Sequence, residues 1–317
     1  MACLIAIQFH TSPEFQYFLA ASFVIFFLGL KDDILVISPI KKFIGQVLAA
    51  FLIIYKGNVQ IRSMHGFMGI HELPESFSLL LTYFTVIVII NSFNLIDGID
   101  GLAGSLGLMA STVFGFYFLQ INMPAYSILA FALAGSLAAF LIFNFHPAKI
   151  FMGDTGSLMI GLINSILVVK FIEVANAVSV PYPIAASPAI GFAILMIPLL
   201  DTLRVFAIRI VSRRSPFSPD RNHVHHLLLD KGLSHRTITL TLVTINLLAI
   251  VVSYALRDAG CTWIILAILL IFFSGIAALY YTRPRPRLFV ARTVKPDNSN
   301  NSRIVPLTKD TILEQKN

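Results

Sequence analysis

The stretch Asn91–Gly104, NSFNLIDGIDGLAG, closes an apolar run from Phe77 to Ile90 and sets Asn94, Asp97 and Asp100 at three-residue spacing. An ionised carboxylate at the mouth of a membrane helix is costly unless water, a metal or a cation satisfies it, so these residues are read first as functional. Gly98, Gly101 and Gly104 punctuate the run and let main chain turn close to a ligand. A polar loop carrying Asp-Gly turns explains one such pair, but explains three polar residues in register poorly.

Outward from this stretch the chain reads as a membrane protein. Of its 317 residues 57% are hydrophobic and 12% are charged, and the apolar ones gather in long runs. Nine runs, at 14–30, 40–56, 77–93, 101–120, 125–144, 156–173, 187–210, 237–256 and 261–281, approach the length that spans a hydrocarbon core. The expected fold is therefore all-α and polytopic, with about nine transmembrane helices. Residues 1–282 form one integral membrane domain, and the polar, proline-rich segment 283–317 is expected to be a mobile tail.

Lys and Arg are retained on the cytoplasmic side of a membrane. The loops 31–42, 145–155, 209–236 and 282–317 hold 18 of the 23 basic residues, whereas the alternate loops hold only Lys56, Arg62 and Arg257. This bias places the amino terminus outside and the Asn91–Gly104 stretch at the cytoplasmic face. The net charge of +7 follows from the same bias and suits anionic headgroups; no basic stripe interleaved with aromatics points to nucleic acid. Cys3 and Cys261 are too few for a disulfide framework or a metal site. Residues 1–13 lack the basic start and apolar length of a cleavable signal.

Three further polar patches fall on the same side. Asp32 and Asp33 end the first helix and precede Lys41 and Lys42. Asn144 to Ser157 carries Asp154 between glycines where a helix begins, which puts a carboxylate beside backbone N–H groups that can meet phosphate. Arg213 to His226 sets His223, His225 and His226 beside arginines including Arg221, an anion-binding surface. Asp201 and Arg204, at i and i+3, can pair within a helix, and His65 and His71 lie on an outer loop and read as structural. Carboxylates that hold Mg2+, together with an Arg and His loop that neutralises phosphate, are what phosphoryl transfer needs.

These patches resemble the polyprenyl-phosphate N-acetylhexosamine-1-phosphate transferases, membrane enzymes that move a sugar phosphate from a UDP-sugar to undecaprenyl phosphate and release UMP. The residues that carry the resemblance are Asp32-Asp33 with Lys41 and Gln46, NxxNxxDGIDGLAG at 91–104, FNxxPAxxFMGDTGS at 143–157 and SPFSPDRNHVHHLLL at 215–229. The resemblance implies a cytoplasmic active site in a bacterial inner membrane. It implies that Asp154, with Asp97, holds Mg2+ or Mn2+, with Asp100 close by, and that Asn94 supports this site. It further implies that Asn144 and Phe151 grip the uridine, that Lys41, Arg221, His223, His225 and His226 bind substrate phosphates, and that Asp32 or Asp33 acts on the acceptor phosphate. Base catalysis in a single displacement and a covalent carboxylate intermediate both remain open. The split histidines, with Val224 between them and Leu227 after, resemble the GlcNAc-1-phosphate branch more than the muramyl-pentapeptide branch. The partners implied are a UDP-N-acetylhexosamine, undecaprenyl phosphate and the bilayer, with a homodimer left open.

The pattern is departed from at the start, where the resemblance implies two further helices and a Pro/Gly-Gly loop and only 31 residues precede Asp32. The expectation is a chain that begins late, or a shortened, inactive homologue. Among rival readings, an intramembrane aspartyl protease needs Gly at position 151, which is Phe, and a CDP-alcohol phosphatidyltransferase needs an Arg after Asp97-Gly98 that is missing. A transporter needs polar residues near the bilayer midplane, whereas the dense patches lie at one face.

Overall fold

The computed structural model describes residues 12–177, 180–181, 183–213 and 223–282. Arg221 and the first part of its motif, and the tail 283–317, lie outside the described residues.

The described chain is helical apart from one hairpin. Its helices are α1 (Phe15–Ile34), α2 (Pro39–Phe51, continued by a wider turn over Leu52–Lys56), α3 (Glu75–Ile96), α4 (Leu102–Gln120), α5 (Pro124–Asn144) and α6 (Gly153–Val174). After these come α7 (Ser187–Ile194), α8 (Met196–Val211), the short α9 (Val224–Leu229), α10 (His235–Ala255) and α11 (Cys261–Tyr281). Six of them, α3, α4, α5, α6, α10 and α11, are long and apolar enough to cross a membrane, and the bent pair α7–α8 makes a seventh if counted as one span.

α6 is the axis of the fold. It packs against α1, α3, α4 and α5, and 78% of its most apolar stretch is buried, against 22% for α11 at the periphery. Small residues let these backbones approach. A Cβ at Gly29 of α1 would lie 2.5 Å from Thr155 Cα, and one at Gly161 of α6 would lie 2.5 Å from Ile90 Cα. Gly29→Ala is therefore expected to push α1 off the start of α6 and to destabilise the protein by about 1–3 kcal/mol, the usual cost of overpacking. Thermal unfolding in detergent measures this.

The 187–210 run is not one straight helix, as its length predicted. It bends by 83° between α7 and α8. Pro198, near the start of α8, has no N–H to offer the carbonyl of Ile194. Asn246 of α10 repairs the break: its Nδ2 donates to the carbonyls of Ala193 (3.2 Å) and Ile194 (3.0 Å), and its Oδ1 accepts from Ile197 N (2.9 Å). A buried amide thus satisfies backbone groups that a bilayer could not.

The hairpin pairs β1 (Ser63–Phe67) with β2 (Ile70–Glu72) and brings His65 within 3.1 Å of Asn176, while Arg62 pairs with Glu173 at 3.1 Å. These contacts cluster near the carboxyl end of α6. With 22 residues α6 is about 33 Å long, so the hairpin lies a full helix length from Asp154.

Candidate active site

The amino-terminal end of α6 is where the polar patches meet. Asp33 caps it: its Oδ1 accepts from Asp154 N (2.7 Å), and its Oδ2 accepts from Thr155 N (3.0 Å) and Thr155 Oγ1 (2.6 Å). An acidic side chain is favoured there because the free N–H groups and the helix dipole both attract it. Asp32, one residue earlier, accepts from Ile37 N at 2.8 Å and pairs with Lys42 Nζ at 3.1 Å. Lys42 also contacts Asp154 and donates to Asn94 Oδ1 at 3.2 Å. Asn94 in turn donates to Asp154 Oδ1 at 2.8 Å and to Ser157 Oγ at 3.0 Å. One ammonium thus gathers oxygens from α1, α3 and α6.

The lysine in this cluster is Lys42; Lys41, which sequence singled out, is exposed. Gln46 does not touch the cluster directly but exchanges amide hydrogen bonds with Asn91, at 3.3 and 2.8 Å, which fastens α2 to α3 just below it. A cavity of about 190 Å3 opens beside Lys42, with Asp32, Asn94 and Arg209 among its polar lining and Ile37 and Phe43 among its apolar lining.

A second cavity, of about 320 Å3, is lined by Asp97, Asp100, Asn144, Phe151 and Asp154. Asp97 makes no hydrogen bond or ion pair among the described residues. Burial, followed by the charges of Asp154 and Asp33, pushes its carboxyl up to about 7. The donors here are carboxylates with amide and hydroxyl oxygens, a hard-oxygen set that suits Mg2+ and excludes a thiolate-type metal. Asp97, Asp154 and Asn94 therefore fit the divalent ion that the resemblance implies. Phe151 is 81% exposed, with its ring available at the cavity wall. Asn144, by contrast, is buried and its amide is used at both ends: Oδ1 accepts from Gly101 N (3.0 Å) and Nδ2 donates to Ile150 O (2.8 Å). It shapes the cavity by holding two loops together.

Asp100 parts company with Asp97. Its Oδ2 pairs with His146 Nδ1 at 2.7 Å and accepts from Ala148 N at 3.3 Å, and its Oδ1 lies 3.3 Å from His235 Nδ1. α3 ends at Ile96 and residues 97–101 form the turn into α4, closed by Gly101 at φ +75°, so three-residue spacing does not keep the two carboxylates on one helical face.

The histidine loop is held from α8. Asp201 Oδ2 pairs with His223 Nδ1 at 2.9 Å, and its Oδ1 accepts from Val224 N (3.0 Å) and Arg204 Nη2 (2.9 Å). His225 stacks on His223 with ring centroids 5.5 Å apart, and its Nε2 fills the space where a Cβ on Gly98 would sit, 2.8 Å away. Burial pushes the His225 imidazole down to about 3, so it stays neutral near pH 7. His226 lies alongside, with its ring 4.4 Å from that of His225. Asp201 is the residue that holds this loop, a role sequence did not resolve. Asp201→Asn leaves Arg204 and His223 without their shared anion and is expected to cost about 3–5 kcal/mol, as the loss of one partner of a buried ion pair does. Chemical or thermal unfolding in detergent reads the loss, and an unchanged midpoint would show that the loop is held in some other way.

Comparison with known proteins converges on one family. The model described as "Glycosyl transferase family 4" matches residues 15–172. The chain is 32% identical over 285 residues to the "Probable undecaprenyl-phosphate N-acetylglucosaminyl 1-phosphate transferase" of Bacillus subtilis (strain 168), covering 87% of this chain and 76% of that protein. The chain belongs to glycosyl transferase family 4. Another family relative is the "Undecaprenyl-phosphate alpha-N-acetylglucosaminyl 1-phosphate transferase" of Escherichia coli (strain K12), 30% identical over 268 residues, or 82% of this chain and 71% of that protein. The "Decaprenyl-phosphate N-acetylglucosaminephosphotransferase" of Mycobacterium leprae is 35% identical over 240 residues, 70% of this chain, which spans 59% of that relative's length. The matched family region runs from α1 to near the end of α6 and so contains Asp32, Asp33, Lys42, Asp97 and Asp154.

Proposed function

We propose that this family 4 protein transfers a HexNAc-1-phosphate, most simply GlcNAc-1-phosphate, from a UDP-sugar to undecaprenyl phosphate. An oxygen of the acceptor phosphate attacks the β-phosphorus of the donor, the bond from that phosphorus to the bridging oxygen of UMP breaks, and a polyprenyl diphosphate sugar forms. The observation that carries this reading is the meeting, at one end of α6, of Asp97, which has no hydrogen-bond partner among the described residues, the Asp154–Asn94 pair and a lysine that bridges to Asp32.

Asp97 and Asp154 would hold Mg2+, which when bound neutralises the donor diphosphate and stabilises charge on the leaving UMP. Lys42, at the border between the metal ligands and the cavity beside α2, presents a cation to the acceptor phosphate. That cavity has both a polar and an apolar lining, which suits a lipid phosphate. Asp33 is committed to three donors at the start of α6, and Asp32 to Lys42 and Ile37 N. Their positions favour orienting the helix and the lysine, with direct displacement by the acceptor over attack by a free carboxylate. Phe151 offers an exposed ring to the uracil, and the docked histidine loop offers His226 to the diphosphate.

The proposal places nine spans in a bacterial inner membrane, with the α6 amino terminus facing the cytoplasm, where UDP-sugars are made. The bias of Lys and Arg in sequence toward the loops 31–42, 145–155 and 209–236 supports that orientation. The test is exchange of labelled UMP into UDP-GlcNAc by membranes containing the protein. Exchange that requires both Mg2+ and polyprenyl phosphate is expected, and exchange indifferent to either contradicts the reading.

A further inference from the structure

Asp100, His146 and His235 form a cluster that the transfer proposed above does not use. Asp100 lies in the turn between α3 and α4, His146 in the loop between α5 and α6, and His235 is the first residue of α10. One ligand atom of each lies within 4.8 Å of those of the other two. The two rings are 5.3 Å apart, and both Nδ1 atoms approach the one carboxylate, at 2.7 and 3.3 Å.

Hydrogen bonding accounts for half of this arrangement. Oδ2 of Asp100 is satisfied by His146 and by the N–H of Ala148. His235 Nδ1 is a buried atom 3.3 Å from Oδ1, close enough to pair with the carboxylate but not aligned for a good hydrogen bond. A poorly aligned buried nitrogen gains little from the carboxylate, and a cation held between the two would satisfy both. Ligand atoms about 2.0–2.1 Å from a tetrahedral metal are separated from one another by about 3.3 Å, as His235 Nδ1 and Asp100 Oδ1 are here, while His146 Nδ1, 2.7 Å from Oδ2, would move back slightly to admit the ion.

We propose that Asp100, His146 and His235 bind a transition-metal dication of the zinc type, at a site separate from Asp97 and Asp154. Two imidazoles and one carboxylate suit Zn2+, Co2+ or Ni2+, whereas Mg2+ favours oxygen alone, so the two sites select different metals. Three protein ligands leave a fourth position for water. The carboxylate is oriented from behind by Ala148 N–H, and the Asp100 carbonyl accepts from Thr239 Oγ1 at 2.9 Å, the kind of support that fixes a metal ligand. A bound ion ties together the α3–α4 turn, the α5–α6 loop and the start of α10. The first two of these line the cavity that contains Asp97.

Co2+ is the probe. The full chain, in detergent, free of any affinity tag and stripped of metal, is titrated with CoCl2 in excess Mg2+ and then with ZnCl2. One equivalent of Co2+ is expected to give the visible bands of a four- or five-coordinate site, and Zn2+ to abolish them. Asp154→Ala should keep the bands, while His146→Ala and His235→Ala should each lose them. Zn2+ should also raise the unfolding temperature of the wild type and of Asp154→Ala, but not of His235→Ala. No bands in the wild type, bands that survive both histidine substitutions, or bands lost with Asp154→Ala would each overturn the proposal. If the histidine variants do not fold, zinc-edge X-ray absorption on the wild type decides. Two imidazole nitrogens per zinc support the site, and either an all-oxygen shell or three imidazoles, the signature of the His223–His226 loop, refutes it. No readout here depends on transferase activity, so the two proposals fail independently.

Discussion

Asp154→Ala is expected to lower turnover roughly a thousandfold or more, the scale seen when a group that stabilises transition-state charge is removed. Asp154 contacts all three neighbouring helices at this site: it accepts from Asn94, contacts Lys42 and donates its N–H to Asp33. Only the side-chain part of that network is lost on substitution, because the Asp33 cap uses the backbone N–H of Asp154 and the Thr155 donors. The variant should therefore insert and elute as the wild type does. Asp154→Asn, which keeps an oxygen acceptor but drops the charge, should be nearly as inactive, and chelation of Mg2+ from the wild type should reproduce the loss. Activity within tenfold of wild type in Asp154→Asn would remove Asp154 from the metal site.

The second large effect concerns adjacent lysines. Lys42→Met is expected to lower kcat/KM about a hundredfold or more, and Lys41→Met to leave it within a few-fold. Among the described residues Lys42 is the cation that touches Asp32, Asn94 and Asp154 together. Removing it leaves two carboxylates facing each other and takes a positive charge away from the acceptor phosphate. Lys41, exposed on α2, carries no such duty. Steady-state kinetics with the polyprenyl phosphate varied would show the Lys42 loss in both kcat and the acceptor KM. Equal behaviour of the two lysines would mean that the ammonium in the cluster is only a packing feature.

The contrast between these lysines shows where sequence stops informing. Four polar patches in an apolar chain were visible because charge is expensive near a bilayer, and the structure brings all the described ones to one end of α6. Which of two adjacent lysines enters the site depends on the rotation of α2, since consecutive side chains on a helix do not share a face. The Gln46–Asn91 amide pair helps to fix that rotation, a long-range contact with no local signature. Asp97 and Asp100 looked equivalent by spacing, and both line the same cavity, but the chain leaves the helix after Ile96 and only Asp100 reaches His146 and His235. The substrate role of Asn144 came from the resemblance alone; its amide contacts to Gly101 N and Ile150 O, which hold two loops together, have no signature in the sequence. Asp201 carried a signal, an acid inside an apolar run, yet its bond to His223 joins residues 22 apart and belongs to tertiary structure. The bend between α7 and α8 had a local cue in Pro198, but the amide that makes it tolerable comes from Asn246, far along the chain.

The central claim is that a sugar phosphate, and not a sugar alone, passes to the lipid. Donor labelled with 32P at the β-phosphorus of UDP-GlcNAc tests it most directly. With Mg2+ and undecaprenyl phosphate present, the account predicts that label moves into the organic-extractable lipid while unlabelled UMP is released. Label that stays in the water phase as UDP while the sugar reaches the lipid would contradict it.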